Sequence, residues 1–346
     1  MRWKAATVGV VVAAAAGAAG GLGACSRSAP DVDTSRPRDE GIRFTSVETL
    51  VKEGETAYVR HCVGCHGAAG DGKGEAATFL FPKPRNFTLA HFKFSSTRSG
   101  RLPTDADLKR SIRNGLKGSA MPGFSALSER TLDGLVAYIK TFSPKWASQD
   151  TAPPIPIHED PYRSNPDKTE AIRRGEVVYH GYVTCWSCHP AYVSTEKINE
   201  YLVACGSESR SGFRPNLDGV EVKPNVEGEL VYPTDFRRDF VRSGSQIDDL
   251  YRVISAGLTG TAMPTWVDAM HVAAKEPGGP PLVQPSDLWA MAYYVQDLIA
   301  QRPPKLKEGA YALRSRPQWI SLTGEPAPAP PTEKQDAEAV EFIEDE

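Results

Sequence analysis

Apolar residues recur at helical spacing in four stretches of the chain. Residues 48–61 read as a first helix. In 105–113, Leu108 and Ile112 stand one turn apart, Thr104 can cap the start, acidic residues follow it, and Gly115 ends the run. Leu132, Leu135, Val136 and Ile139 form one face of 129–141, with Ser128 as the cap. Leu288, Met291, Ala292 and Val295 form the matching face of 287–300, with Ser286 in the capping position. Between these lie stretches rich in Gly and Pro, such as 67–86 with its Gly70-Asp71-Gly72-Lys73-Gly74, which read as loops. The pattern predicts a mostly helical protein with long connections.

The helical stretches belong to a repeat. Glu53-Gly54-Glu55-Thr56-Ala57-Tyr58 precedes Cys62, and Arg174-Gly175-Glu176-Val177-Val178-Tyr179 precedes Cys185. Downstream, Pro84-Arg85-Asn86-Phe87 pairs loosely with Arg237-Arg238-Asp239-Phe240, 107–112 with 249–254, 115–122 with 257–264, and 132–142 with 288–298. An ordered series of such matches points to a duplicated domain, with a first copy at 48–142, a second at 170–300 and a turn-rich linker at 143–169.

Each copy holds one Cys-x-x-Cys-His: Cys62, Cys65 and His66 in the first, Cys185, Cys188 and His189 in the second. That spacing places two thiols and an imidazole on one helical turn, where the thiols can bond a porphyrin edge and the imidazole its iron. Two covalently bound haems c are expected. A zinc site combining both pairs would join residues far apart in sequence, and a dithiol redox pair would need a βαβ setting that is not visible. For the sixth ligand, Met121 and Met263 recur in Ala-Met-Pro after a Gly-x-x-Gly turn, whereas Met291 suits a buried helix face and Met270 has no counterpart. His61, His91, His158, His180 and His271 do not recur, and His91 and His180 read as surface residues or supports of the ligands. Arg85 and Arg238 are candidate partners for haem propionates. Copies this small need the haem as core, so the apo form should fold poorly.

Composition adds little until the ends of the chain. Lys and Arg number 40 against 43 Asp and Glu, so no polycation for nucleic acid is present. Arg2 and Lys4 precede an Ala-rich apolar run and Leu22-Gly23-Ala24-Cys25, which resembles the lipobox of bacterial lipoproteins. Residues 1–25 then read as a signal with Cys25 as the lipid-bearing residue, and 26–47 as a flexible tether. A plain cleaved signal or a retained membrane helix is the alternative. The expected location is the periplasmic side of a bacterial membrane. Residues 301–346 form an extension with an acidic tail expected to be disordered.

Both copies resemble class I cytochrome c domains, through Cys62, Cys65, His66, Gly67 and Met121-Pro122, and through Cys185, Cys188, His189 and Met263-Pro264. Tyr138 and Tyr294 fit the aromatic expected in a last helix that packs on the first. The resemblance implies an all-α fold, two tandem class I cytochrome c domains with long loops around covalent haem, and electron transfer outside the cytoplasm. The second copy departs from it at Pro190, which stands where Gly67 stands in the first, and in inserts at 191–232 and 271–284. Cys205 has no partner and reads as a small buried residue, a crosslink or a thiolate ligand; some dihaem thiosulfate-oxidising enzymes use the last. The expected function is a lipid-anchored carrier, relaying single electrons between respiratory partners without substrate turnover of its own. The alternatives are a catalytic dihaem protein, acting on peroxide or thiosulfate, and a haem subunit of a larger respiratory complex.

Overall fold

The computed structural model describes residues 46–303. The expected signal, the anchor Cys25, nearly all of the tether and the acidic tail lie outside the described residues. The helices are α1 (Val47–His61), α2 (Val63–His66), α3 (Asp105–Asn114), α4 (Glu129–Thr141), α5 (Lys145–Ser148), α6 (Thr169–Gly181), α7 (Thr195–Ala204), α8 (Ile247–Ala256) and α9 (Asp287–Ala300). One short antiparallel ribbon, β1 (Lys223–Pro224) with β2 (Leu230–Val231), interrupts an otherwise all-α fold.

The caps explain where most helices start. Ser46, Thr104, Ser128 and Ser194 each accept a hydrogen bond from a backbone N–H in the first turn, and Thr104 forms a reciprocal capping box with Asp107. Ser286 does not cap α9. Its backbone is already helical, and Asp287, the first residue of the helix, instead accepts from the preceding Gln284 N–H at 2.9 Å while Arg174 pairs with it at 2.7 Å.

Two helix crossings carry the packing, α1 on α4 and α6 on α9. Each crossing brings backbone against backbone at a glycine. A Cβ on Gly54 would lie 1.9 Å from the Gly134 carbonyl oxygen, and one on Gly175 would lie 2.0 Å from that of Ala290. Around the first crossing, Tyr58, Leu108, Ile112, Leu132 and Leu135 form one core. Around the second, Val178, Tyr179, Leu250, Tyr251, Leu288 and Met291 form another. α8 packs on α9 and α7 on α6. The insert at 191–232 is therefore not all loop. α7 seats Ile198 and Leu202, one turn apart, against Trp186.

The linker does not hold the two regions apart. Ile155 is buried, with its N–H 2.6 Å from the Ser96 carbonyl. Arg98 donates two bonds to Asp268, at 2.6 and 2.7 Å, and the Ser99 N–H reaches the Ala256 carbonyl and the Thr265 hydroxyl. Among the described residues, no helix is long and apolar enough to cross a membrane.

Gly175→Ala should destabilise the fold by about 1–3 kcal/mol, because backbone rather than a movable side chain meets the new methyl. Gly212→Ala, where nothing lies within 4 Å, should stay within about 0.5 kcal/mol of wild type. Urea unfolding of both variants checks the contrast.

Candidate functional site

The two Cys-x-x-Cys-His motifs make the same local bonds. The Cys62 carbonyl accepts from Cys65 N at 3.2 Å and His66 N at 2.9 Å. The Cys185 carbonyl accepts from Cys188 N at 3.0 Å and His189 N at 2.8 Å. One turn thus gathers both thiols and the imidazole. All four cysteines are unpaired and partly buried, and burial pushes the Cys62 thiol up to about 11 and that of Cys185 higher.

Each imidazole is fixed in the same way. His66 Nδ1 lies 3.0 Å from the Arg85 carbonyl, and His189 Nδ1 lies 2.8 Å from the Thr234 carbonyl. A carbonyl only accepts, so Nδ1 carries the proton and Nε2 keeps its lone pair. The His66 ring stacks on Phe87 at 4.5 Å and the His189 ring on Phe236 at 5.0 Å. Burial holds the pKa of both rings below the usual histidine value, which keeps them neutral as ligands must be.

This geometry corrects the register of the repeat. The counterpart of Pro84-Arg85-Asn86-Phe87 is Pro233-Thr234-Asp235-Phe236, four residues before the stretch that resembled it. Asn86 and Asp235 even form the same turn, accepting from Thr88 N at 2.9 Å and Arg237 N at 3.0 Å. Arg85 serves His66 through its carbonyl, so its side-chain identity carries no register information. Arg238 is accordingly not its partner. It is 58% exposed, with Asp235 3.8 Å away, whereas the Arg85 guanidinium bonds Glu227 at 2.9 Å.

Met121 and Met263 occupy matching loops. Gly115 and Gly257 take positive φ at the helix ends, where a side chain would meet Pro122 or Pro264. Leu116 N then donates to the Met121 carbonyl and Leu258 N to the Met263 carbonyl, both at 3.1 Å. The Ser119 and Thr261 hydroxyls accept from the two methionine N–H groups, both at 3.2 Å. Met270 and Met291 are buried in the second core instead.

One tyrosine completes each centre, a role sequence reasoning missed although both stand at the repeated Gly-Glu-x-x-Tyr. Tyr58 donates to the Gly67 carbonyl at 2.7 Å and Tyr179 to the Pro190 carbonyl at 3.1 Å. They also pack on Tyr138 and Tyr294 of the crossing helices, at 5.2 and 5.4 Å. The tyrosine uses only the carbonyl after the histidine, so Pro190 replaces Gly67 at no cost to this bond, although it lacks the N–H that Gly67 donates to the Val63 carbonyl at 2.8 Å.

His180 is not at the surface. It is a neutral core residue, its Nδ1 on the Glu176 carbonyl at 2.8 Å and its pKa pushed down to about 4 by burial. His91 sits beside Glu227 and Lys145. Cys205 is 2% exposed in the second core, where Gly181 leaves room for its Sγ, and burial raises its thiol pKa.

The donor set fits a haem at each motif: two free thiols, a neutral imidazole with a bare Nε2 and a loop thioether. Beside the His189 support, Arg237 Nε and Arg242 Nε are buried with no hydrogen-bond partner among the described residues, as donors awaiting carboxylates would be. Burial also lowers the Lys93 pKa to about 8.

Residues 49–139 match the family described as cytochrome C oxidase, cbb3-type, subunit III. A solved chain from the reducing HAO-like protein complex of Kuenenia stuttgartiensis is 27% identical, with a TM-score of 0.55 over 72% of this chain and 96% of that one. The fold is c-type cytochrome-like. No curated protein matches the chain. A c-type cytochrome-like fold related to these two carries a redox, electron-transfer role, and its paired cysteines are spaced for covalent haem.

The buried His180 gives this fold a pH signature. Its folded pKa lies below the unfolded value of about 6.5. The unfolded chain therefore binds more protons between about pH 6.5 and 4. The contribution is complete above that window and is lost as pH falls through it, by roughly 3 kcal/mol. The urea midpoint of wild type should fall more steeply across the window than that of His180→Gln.

Proposed function

We propose that this chain is a dihaem electron-transfer subunit of a larger redox complex. The reading rests chiefly on one repeated arrangement: a histidine with Nδ1 on a loop carbonyl, its ring on a phenylalanine, and a methionine loop of matching hydrogen bonds. The likeness to a chain of a redox complex over nearly all of that chain favours a subunit over a freestanding carrier. The cbb3-type subunit III family is a non-catalytic electron-transfer component, which supports a role without substrate turnover.

When bound, each haem supplies a one-electron ferric/ferrous couple. Cys62 and Cys65 hold one and Cys185 and Cys188 the other. His66 and His189 would offer Nε2 to iron, and Met121 and Met263 would offer sulfur from their matching loops. With both an imidazole and a thioether to hold it, each haem would serve electron transfer rather than substrate binding. Arg237, Arg242 and Lys93 offer donors for propionates, whereas the Arg85 guanidinium is engaged with Glu227. The domains are those at 48–142 and 170–300. Cys25 carries the lipid that keeps both on the periplasmic side of the membrane, beside redox partner proteins.

The intact holoprotein should exceed its processed polypeptide mass by two haems. Met121→Leu and Met263→Leu should each remove about half of the near-infrared sulfur-to-iron band. In mild detergent the protein should migrate as part of a defined assembly containing other redox proteins. A single haem, an undiminished band, or migration as a lone chain would sink the corresponding part of the reading.

A further inference from the structure

The two attachment motifs solve one problem by different means. After each histidine, the carbonyls of the motif need hydrogen-bond donors. In the first motif a glycine loop supplies them. Gly72 N donates to the His66 carbonyl at 2.9 Å and Gly74 N to the Cys65 carbonyl at 3.1 Å. Gly74 must be bare, since a Cβ there would lie 2.4 Å from the Gly64 oxygen. In the second motif that loop is absent. Pro190 follows the histidine, and the chain runs into the insert that carries α7.

The donors now come from Arg214. Its Nε donates to the Trp186 carbonyl at 2.8 Å and its Nη2 to the His189 carbonyl at 2.9 Å. The same guanidinium bonds the Gly219 carbonyl at 2.6 Å and those of Asn216 and Leu217, while Glu221 N serves the Cys188 carbonyl at 2.8 Å. The rigid fork thus ties the motif to the insert through carbonyls, using all its hydrogen bonds among the described residues on neutral acceptors. Neutral amide dipoles at the first motif are replaced by a full positive charge at the second.

We infer that Arg214 is the positioning residue of the second centre, and that its charge raises the reduction potential there. The inference rests on the dihaem reading. The physics is simple: a fixed cation disfavours the more positive, oxidised iron, and does so strongly where the surroundings are partly desolvated. Arg214 Nη2 bonds the carbonyl of His189 itself at 2.9 Å, while Asp235 follows Thr234, whose carbonyl holds His189 Nδ1, and brings a carboxylate to the same centre. Asp235 therefore offsets part of the effect in the wild-type protein. The contribution of Arg214 is read from its removal rather than from the difference between the two centres. Lysine cannot replace it fully, because one ammonium lacks the planar fork that spans the Trp186 and His189 carbonyls.

The test is a potentiometric titration of the full-length holoprotein, with intact mass confirming haem content. Arg214→Gln should retain two haems, lower one midpoint and leave the other unchanged. Arg214→Lys should fall between it and wild type. Unchanged midpoints in both variants, or equal shifts of both midpoints, would overturn the inference. Should Arg214→Gln lose its second haem, Arg214→His decides: relative to wild type, one midpoint should fall as pH rises through the imidazole titration, and a pH dependence equal to wild type overturns the inference. A wild-type protein with one haem would instead sink the dihaem reading itself.

Discussion

An imidazole that gives its Nδ1 proton to a carbonyl keeps Nε2 as a bare lone pair, and the chain around His66 and His189 is arranged to maintain that state. The requirement is exacting. The carbonyl must come from a segment distant in sequence, the ring must be held flat against a neighbour, and the site must be dry enough to keep the imidazole neutral. Arg85 and Thr234 supply the carbonyls, Phe87 and Phe236 the flat surfaces, and the packed helices the burial. Each helix crossing then has a second purpose beyond core formation. By letting α1 meet α4 and α6 meet α9 at a glycine, it places Tyr58 and Tyr179 where their hydroxyls bond the residue after the histidine.

Both centres meet these demands, but with different materials. Phe87 N donates to the Gly70 carbonyl at 2.7 Å, and Phe236 N to the Tyr192 hydroxyl at 2.9 Å. A glycine loop wraps the first motif, and an arginine from an insert clamps the second. The insert also buries Trp186 with Ile198 and Leu202, whereas Val63, at the same place in the first motif, packs against the first core. What the two centres share is the set of acceptors and rings around the imidazole. What differs is the chain that delivers them.

That division explains how far the sequence could be read. The Cys-x-x-Cys-His turns, the helix faces at 129–141 and 287–300 and the repeated loops at 115–122 and 257–264 are legible because residue type sets the local structure there. The support loop is not, because Arg85 and Thr234 act through main-chain carbonyls that any residue possesses. Arginine therefore drew the alignment to Arg238, one turn too late. Ser286 had the right chemistry for a cap but the wrong backbone, with Asp287 one position on drawn to Arg174. α7 was hidden by the Gly, Pro and charged residues around it, although Ile198 and Leu202 carry the spacing that marks its buried face. His180 was misplaced because a lone histidine on a mixed helix gives no sign of which face is covered.

The contact between the two regions is the remaining constraint on a redox function. Proline-rich linkers can keep domains apart as semi-rigid spacers, and 143–169 has that composition. Here the segment before α3 is tied to the loops of the second core by main-chain bonds as well as by a bidentate ion pair. Surface ion pairs alone contribute little, since salt screens them and two side chains must be ordered. The Ser99 and Gly100 N–H groups bond the Ala256 carbonyl and the hydroxyls of Thr265 and Thr259, and Val226 N bonds the Gly260 carbonyl at 3.0 Å. Glu227, one residue further on, reaches the Arg85 side chain, whose carbonyl already holds His66. The insert of the second region thus touches the support loop of the first. The insert that sets Arg214 against the His189 carbonyl therefore also reaches, through Glu227, the residue whose carbonyl holds His66.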